Sequence, residues 1–198
     1  MKSLAVLVSN AGTGSNLQAL IDAVNNKEIS AEITVVVSSD DDAYGLIRAK
    51  KNKIPTEISN KKNLIKILSK YKIDYVCLAG WKLIIDDDVI SKYKNKILNL
   101  HPGLIPDEID GEVKNPDGSS GIWNRGKLTD IAIENFLNNN ATYAGSSIHF
   151  LSNEFDFGKV LDRVFEKIKK NDDSQSLYKR LKLKENKMYV NVLKKLCR

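Results

Sequence analysis

Short apolar runs closed by turn residues alternate along this chain with segments whose apolar residues recur at helical spacing, and that alternation restricts the fold more than any other feature. Leu4–Ser9 leads into the turn Asn10–Asn16, after which Leu17, Leu20, Ile21 and Val24 follow helical intervals. Ile33–Val37, Thr56–Ile58 behind Pro55, Tyr75–Ala79 and Ile97–Leu100 repeat the strand signal. Ala43–Lys51, the stripe Leu64, Ile67 and Leu68 behind a capping Asn60, and Asp86–Lys92 with its acidic first turn repeat the helical one. Lys61 and Lys62 at the start of the Leu64 helix read as solvated surface lysines. Farther on, Leu128, Ile131, Ala132 and Phe136 mark a helix, Ala141–Leu151 and Val160–Ile168 mark strands, and Ser174–Leu196 is a long terminal helix. Strands separated by helices pair in parallel. The expected fold is α/β, a doubly wound and mostly parallel sheet with helices on both faces.

A chain of 198 residues suits one domain, 1–198, interrupted by a long polar loop at 102–126. Apolar residues at 42% and charged residues at 28% exclude wholesale disorder. No apolar run approaches the roughly 20 residues a membrane helix needs, and MKSLAVLVSNAG reads as a first strand rather than a signal peptide. A soluble cytoplasmic protein is the expectation. Cys77 and Cys197 show no metal-ligand spacing and read as two reduced thiols. The net charge of +6 favours anionic ligands. No basic patch interleaved with aromatics is found, which argues against nucleic acid as a partner.

Candidate chemistry begins where the run Ile97–Leu100 meets the breaker Pro102-Gly103. Asn99 and His101 then sit at the carboxyl end of a strand, two residues apart and on one face. That end of an open parallel sheet is where ligands bind. A strand-end histidine taken alone is more often a satisfied structural residue. The turn Gly12-Thr13-Gly14-Ser15-Asn16 joins a strand to a helix and offers backbone N–H groups to an anion, with the helix dipole in support; as a bare turn it is unremarkable. Gly80-Trp81-Lys82-Leu83-Ile84-Ile85 is an apolar loop suited to covering a flat ring, or to core packing. Asp156 lies in the turn Asn153–Gly158, where aspartate usually bonds its own backbone. Glu185 falls on the apolar stripe of Leu177, Leu181, Met188 and Val192, and is costly there unless paired or hydrogen-bonded.

Four of these pieces, GTGSNLQAL, VCLAGW, LNLHPGLIP and AGSSIHFLSNEFDFG, occur in that order, and together they resemble the folate-dependent formyltransferases, most closely the branch that formylates glycinamide ribonucleotide in purine synthesis. The resemblance implies a Rossmann-like formyltransferase fold. It also implies formyl transfer from 10-formyltetrahydrofolate, as co-substrate and without a metal, to a small phosphorylated amine. Asn99, His101 and Asp156 become the expected catalytic groups. Asn99 and a protonated His101 would donate to the formyl oxygen, while Asp156 raises the proton affinity of the imidazole. Gly12, Thr13, Gly14, Ser15 and Asn16 would hold the acceptor's phosphate, with Lys182 and Glu185 also on the acceptor. Trp81, Leu83, Ile84, Ile85, Leu151, Asn153 and Asp156 would hold the folate. The chain departs from the family in its loop 102–126, in Gly103 where a serine is common, and in Leu83 where an arginine is common. Transfer to an amino-sugar nucleotide, hydrolysis of formyltetrahydrofolate and a non-catalytic folate-binding module stand as alternatives. A monomer or homodimer without nucleic-acid or membrane partners is expected.

Overall fold

The computed structural model describes residues 1–10 and 12–198, with Lys61 described in its backbone alone. Ala11 of the expected turn and the Lys61 side chain lie outside the described residues. The elements run β1 (Lys2–Val8), α1 (Ser15–Asn25), β2 (Ala31–Ser38), α2 (Tyr44–Lys51), β3 (Thr56–Ile58), a short 3-10 turn (Lys61–Asn63), α3 (Leu64–Lys70), β4 (Tyr75–Leu78), α4 (Asp87–Lys92), β5 (Ile97–His101), α5 (Thr129–Asn138), β6 (Tyr143–Phe150), β7 (Val160–Lys167) and α6 (Ser174–Leu196). The seven strands are ordered β3-β2-β1-β4-β5-β6-β7. β1 pairs in parallel with β2 and β4, as β2 does with β3 and β4 with β5, while β6 and β7 are antiparallel. The expected mostly parallel α/β sheet is the one formed. Strand order reverses between β1 and β4, and right-handed crossovers then send α1 and α2 to one face and α3 and α4 to the other. Accordingly α1 packs on α2 and α3 on α4.

The chain packs as two compact units, Met1–Asn99 with Tyr189–Arg198, and Leu100–Met188. In the first, Leu4–Val8 and Val35–Val37 are buried throughout, as the uninterrupted apolar runs of strands covered on both faces should be. Asn60 accepts from the amides of Lys62 and Asn63, capping the turn that leads into α3. The Tyr189 hydroxyl lies 3.1 Å from the carbonyl of Leu78 and 3.2 Å from that of Leu98, tying the last turns of α6 to β4 and β5. Cys77 and Cys197 are buried and free.

The second unit is built on Ile133, Phe136, Ala144, Leu177 and Leu181. The helix expected from Leu128, Ile131, Ala132 and Phe136 forms as α5. Leu128, at the N-cap, and Ile131 are 62% and 53% exposed. Ala132, Ile133 and Phe136 turn inward, since Phe136 stands four and three positions after the other two and so shares their face. Asp173 opens α6 by accepting from the Ser176 amide at 2.7 Å while the Ser176 hydroxyl accepts from Asp173 N–H at 3.1 Å, a reciprocal cap. The loop 102–126 is tied down along its length. Leu104 N donates to Ile122 O at 2.9 Å, Gly121 N to Val113 O at 2.7 Å and Asn115 N to Ser119 O at 2.8 Å. Arg163 of β7 donates to Ile105 O at 2.8 and 2.6 Å and pairs with Asp107. Among the described residues, no helix is long and apolar enough to cross a membrane.

Candidate active site

The first unit places the glycine-bearing turn before α1 and the apolar loop after β4 at the strand-order switch, where open parallel sheets bind ligands. Gly14 caps α1 with φ +66°, a backbone conformation suited to glycine, and no side chain caps the helix. The first amides of α1 therefore keep their polarity for an anion. Arg48 of α2 holds this turn: its Nε donates to Thr13 O and its Nη1 to Gln18 Oε1, both at 2.8 Å, and its guanidinium lies 5.0 Å over the Tyr44 ring. A Cβ on Gly14 would stand 3.3 Å from Arg48 Cδ and Nε. Gly12 and Thr13 are exposed, Ser15 is half-buried, and Asn16 is buried with its Oδ1 unbonded among the described residues. Ser9, just past β1, pairs with Ser39 at 2.6 Å and accepts from Lys82 N at 3.0 Å, which fastens the loop after β4 to the end of β1. In that loop Trp81 and Leu83 are half-buried, Ile85 is buried and Ile84 is 62% exposed. The buried indole N–H of Trp81 has no hydrogen-bond partner among the described residues. Apolar walls with an unspent donor suit a flat heteroaromatic ring.

β5 ends on His101, with half-buried Asn99 two residues before it on the same face. The ring of His101 is 2% exposed; its Nε2 lies 2.7 Å from the carbonyl oxygen of Trp123 and its Nδ1 lies 3.7 Å from Asp156 Oδ1. Burial lowers the proton affinity of His101 below its ordinary range, against the opposing pull of the Asp156 carboxylate and the Trp123 carbonyl. Desolvation thus works against the protonated imidazole expected from the sequence, while the aspartate favours it. Its Nε2 edge is turned to Trp123 rather than left open. Asp156 adopts φ +50°. Its Oδ2 accepts from the Gly126 amide at 2.8 Å and its carbonyl from the Trp123 indole at 3.1 Å. Leu151 is half-buried and Asn153 exposed on the same turn-bearing segment.

On α6, Glu185 is 2% exposed, accepts from the Ser146 hydroxyl at 2.6 Å and pairs with Lys182 at 3.3 Å. Lys182 also donates to the Tyr178 hydroxyl at 3.0 Å. Burial alone would depress Lys182, but the Glu185 charge prevails and its proton affinity is raised. The carboxylate on the apolar stripe is therefore both paired and hydrogen-bonded. Among the described residues, no group of three or more His, Cys, Asp or Glu is gathered as metal ligands.

Several residues of this arrangement carry no signal in the sequence. Trp123 and Gly126 act on Asp156 from about thirty positions away along the chain, inside a loop with no periodicity. His149 is buried beside the pair, with its Nδ1 3.1 Å from Phe150 O. Its proton affinity is pushed down to about 4, first by burial and then by His101. Ser146 and Arg48 are ordinary strand and helix residues until their partners are known.

A model of the formyl transferase family matches residues 2–193, and the chain belongs to that family. Phosphoribosylglycinamide formyltransferase of Haemophilus influenzae is 31% identical over 204 residues, covering 98% of this chain and 86% of that protein. The human trifunctional purine biosynthetic protein adenosine-3 is 33% identical over 200 residues, which take in 96% of this chain and 18% of the human protein, so the chain spans less than a fifth of that relative. The crystal structure of glycinamide ribonucleotide transformylase 1 from Geobacillus kaustophilus matches with a TM-score of 0.82 at 25% identity, covering 100% of both chains.

Proposed function

We propose that this formyltransferase moves the formyl group of 10-formyltetrahydrofolate to the amine of glycinamide ribonucleotide. The observation that carries the reading is the His101–Asp156 pair at the end of β5, 3.7 Å apart and turned toward each other, in a chain similar to phosphoribosylglycinamide formyltransferases along nearly its whole length. As the acceptor nitrogen bonds to the formyl carbon, negative charge grows on the formyl oxygen; Asn99 donates a hydrogen bond to it. The new nitrogen–carbon bond leaves a surplus proton on the acceptor nitrogen. His101 takes that proton, with the charge set against Asp156, and returns it to the folate nitrogen as its bond to the formyl carbon breaks. The α1 amides behind Gly14, together with Ser15 and Asn16, receive the acceptor's phosphate, and Glu185 with Lys182 meets its polar end. Trp81, Leu83, Ile84 and Ile85, with Leu151 and Asn153, would hold the folate, whose pteridine edge suits the unpaired Trp81 N–H. The enzyme is read as cytoplasmic, and as a monomer or homodimer.

The test is an assay of the purified protein with both substrates, following formylated product and, in a parallel arm without any amine, released formate. Product with glycinamide ribonucleotide supports the reading. Normal folate binding with no product removes this acceptor, and formate release without acceptor makes the enzyme a hydrolase.

A further inference from the structure

The interior placement of His101 leaves its two nitrogens with defined neighbours, and those neighbours differ in what they can do. The carbonyl of Trp123, 2.7 Å from Nε2, has no proton to give, so Nε2 must be the donor. A neutral imidazole carries one N–H only, and that one is now committed. Nδ1, 3.7 Å from the Asp156 carboxylate, is left with its lone pair. We propose that Trp123 is a positioning residue of this site: its carbonyl oxygen holds His101 as the Nε2–H tautomer, so that Nδ1 is the atom that accepts and releases the proton.

Trp123 is itself held in place by both ends of the pair it serves. Its indole N–H donates to Asp156 O at 3.1 Å, its ring lies 5.8 Å from that of Phe157, and the Arg125 guanidinium covers it at 5.0 Å. Next in sequence, Asn124 donates to Pro102 O at 3.0 Å and to Ala132 O at 3.2 Å, and accepts from Asn135 at 2.8 Å. Gly126 N then binds Asp156 Oδ2 at 2.8 Å. Four consecutive residues, Trp123 to Gly126, thus fix the imidazole through a main-chain oxygen and the aspartate through two N–H groups. These bonds hold Asp156 in the left-handed backbone conformation, φ +50°, that a non-glycine residue rarely adopts.

The proton balance closes without another group. Nδ1 gains the proton of the acceptor nitrogen, the resulting imidazolium faces Asp156, and the same proton passes to the folate nitrogen while Nε2–H stays on the Trp123 carbonyl throughout. A consequence is that Nε2 is not a donor to the formyl oxygen, which leaves Asn99 as the donor on β5. The proton route rests on the formyltransferase reading; the tautomer does not, being a property of the protein alone.

The experiment is long-range nitrogen–proton correlation spectroscopy of the whole protein labelled at its two histidines, near neutral pH. His101 should show the Nε2–H tautomer, with His101→Gln separating its signals from those of His149. Gly103→Ala, whose Cβ would stand 1.7 Å from the Trp123 oxygen, should push that oxygen away, turn the His101 signals into a tautomer mixture, and lower kcat about tenfold with both KM values nearly kept. Trp123→Phe keeps the carbonyl and should keep the single tautomer. A proton on Nδ1 of His101 in the unaltered protein overturns the proposal, as does an unchanged spectrum in a folded Gly103→Ala. If that variant does not fold, the unaltered protein and Trp123→Phe still decide. Lack of activity on glycinamide ribonucleotide alongside the expected spectrum would count against the acceptor only.

Discussion

Gly103 and Trp123 exclude a side chain between them: a Cβ at position 103 would lie 1.7 Å from the Trp123 carbonyl oxygen and 3.0 Å from His101 Nε2. The position demands glycine for room, not for an unusual backbone angle. Gly103→Ser should therefore destabilise the protein by about 1–3 kcal/mol, the usual cost of overpacking a fixed interior. Urea midpoints of the two proteins measure it, and an unchanged midpoint would mean the Trp123 strand of the loop yields freely.

Asp156→Asn keeps the shape of the side chain and an oxygen for the Gly126 amide, but removes the charge that faces His101 Nδ1. Formyl transfer should fall by about 10²–10⁴, the range for disabling a proton-transfer group, while folate binding measured by fluorescence titration stays near normal. Retained turnover would take Asp156 out of the chemistry and leave it as a turn residue.

His149 should make the protein acid-sensitive. An unfolded histidine titrates near 6.5 and the folded His149 near 4. As pH falls, the unfolded state binds the proton first, so stability present above 6.5 is lost progressively down to about 4. The shift corresponds to roughly 3 kcal/mol. Comparing urea midpoints with those of His149→Asn across this window isolates the effect, since the variant keeps every carboxylate; parallel curves would count against it.

Arg48→Ala should loosen the anion-binding turn by removing the donors to Thr13 O and Gln18 Oε1, both at 2.8 Å. The expected result is a KM for the phosphorylated acceptor raised about tenfold, with the KM for folate almost unchanged, because two hydrogen bonds from a charged group are each worth about 1.5–3 kcal/mol and only part is lost to the turn. Equal rises in both KM values would indicate general misfolding of the first unit.

How much of this was legible depended on the range of the interactions. β3 and α6 carry the bounds read from the sequence, Thr56–Ile58 and Ser174–Leu196, because Pro55 and the Asp173 cap act locally. Leu177, Leu181, Met188 and Val192 are buried as their spacing requires. Asn99 and His101 end β5 together because a strand stops where Pro102 forbids it to continue. Which side of α5 turns inward is not legible at Leu128 and Ile131, since the stripe there is short and apolar residues occupy both sides. The setting of His101 was not legible for a different reason. Burial lowers its proton affinity while a carbonyl supplied 22 positions away and the Asp156 carboxylate pull the other way, and no local pattern announces any of them.

Cys77 and Cys197 are both shut away in the first unit, and burial drives the thiol of Cys77 far above its ordinary range and that of Cys197 to about 11. Neither presents a thiolate to an alkylating or oxidising reagent while that unit is closed. The two sulfurs therefore act as a built-in clock: the rate at which a thiol reagent consumes them reports how often the packed strands and the end of α6 come apart.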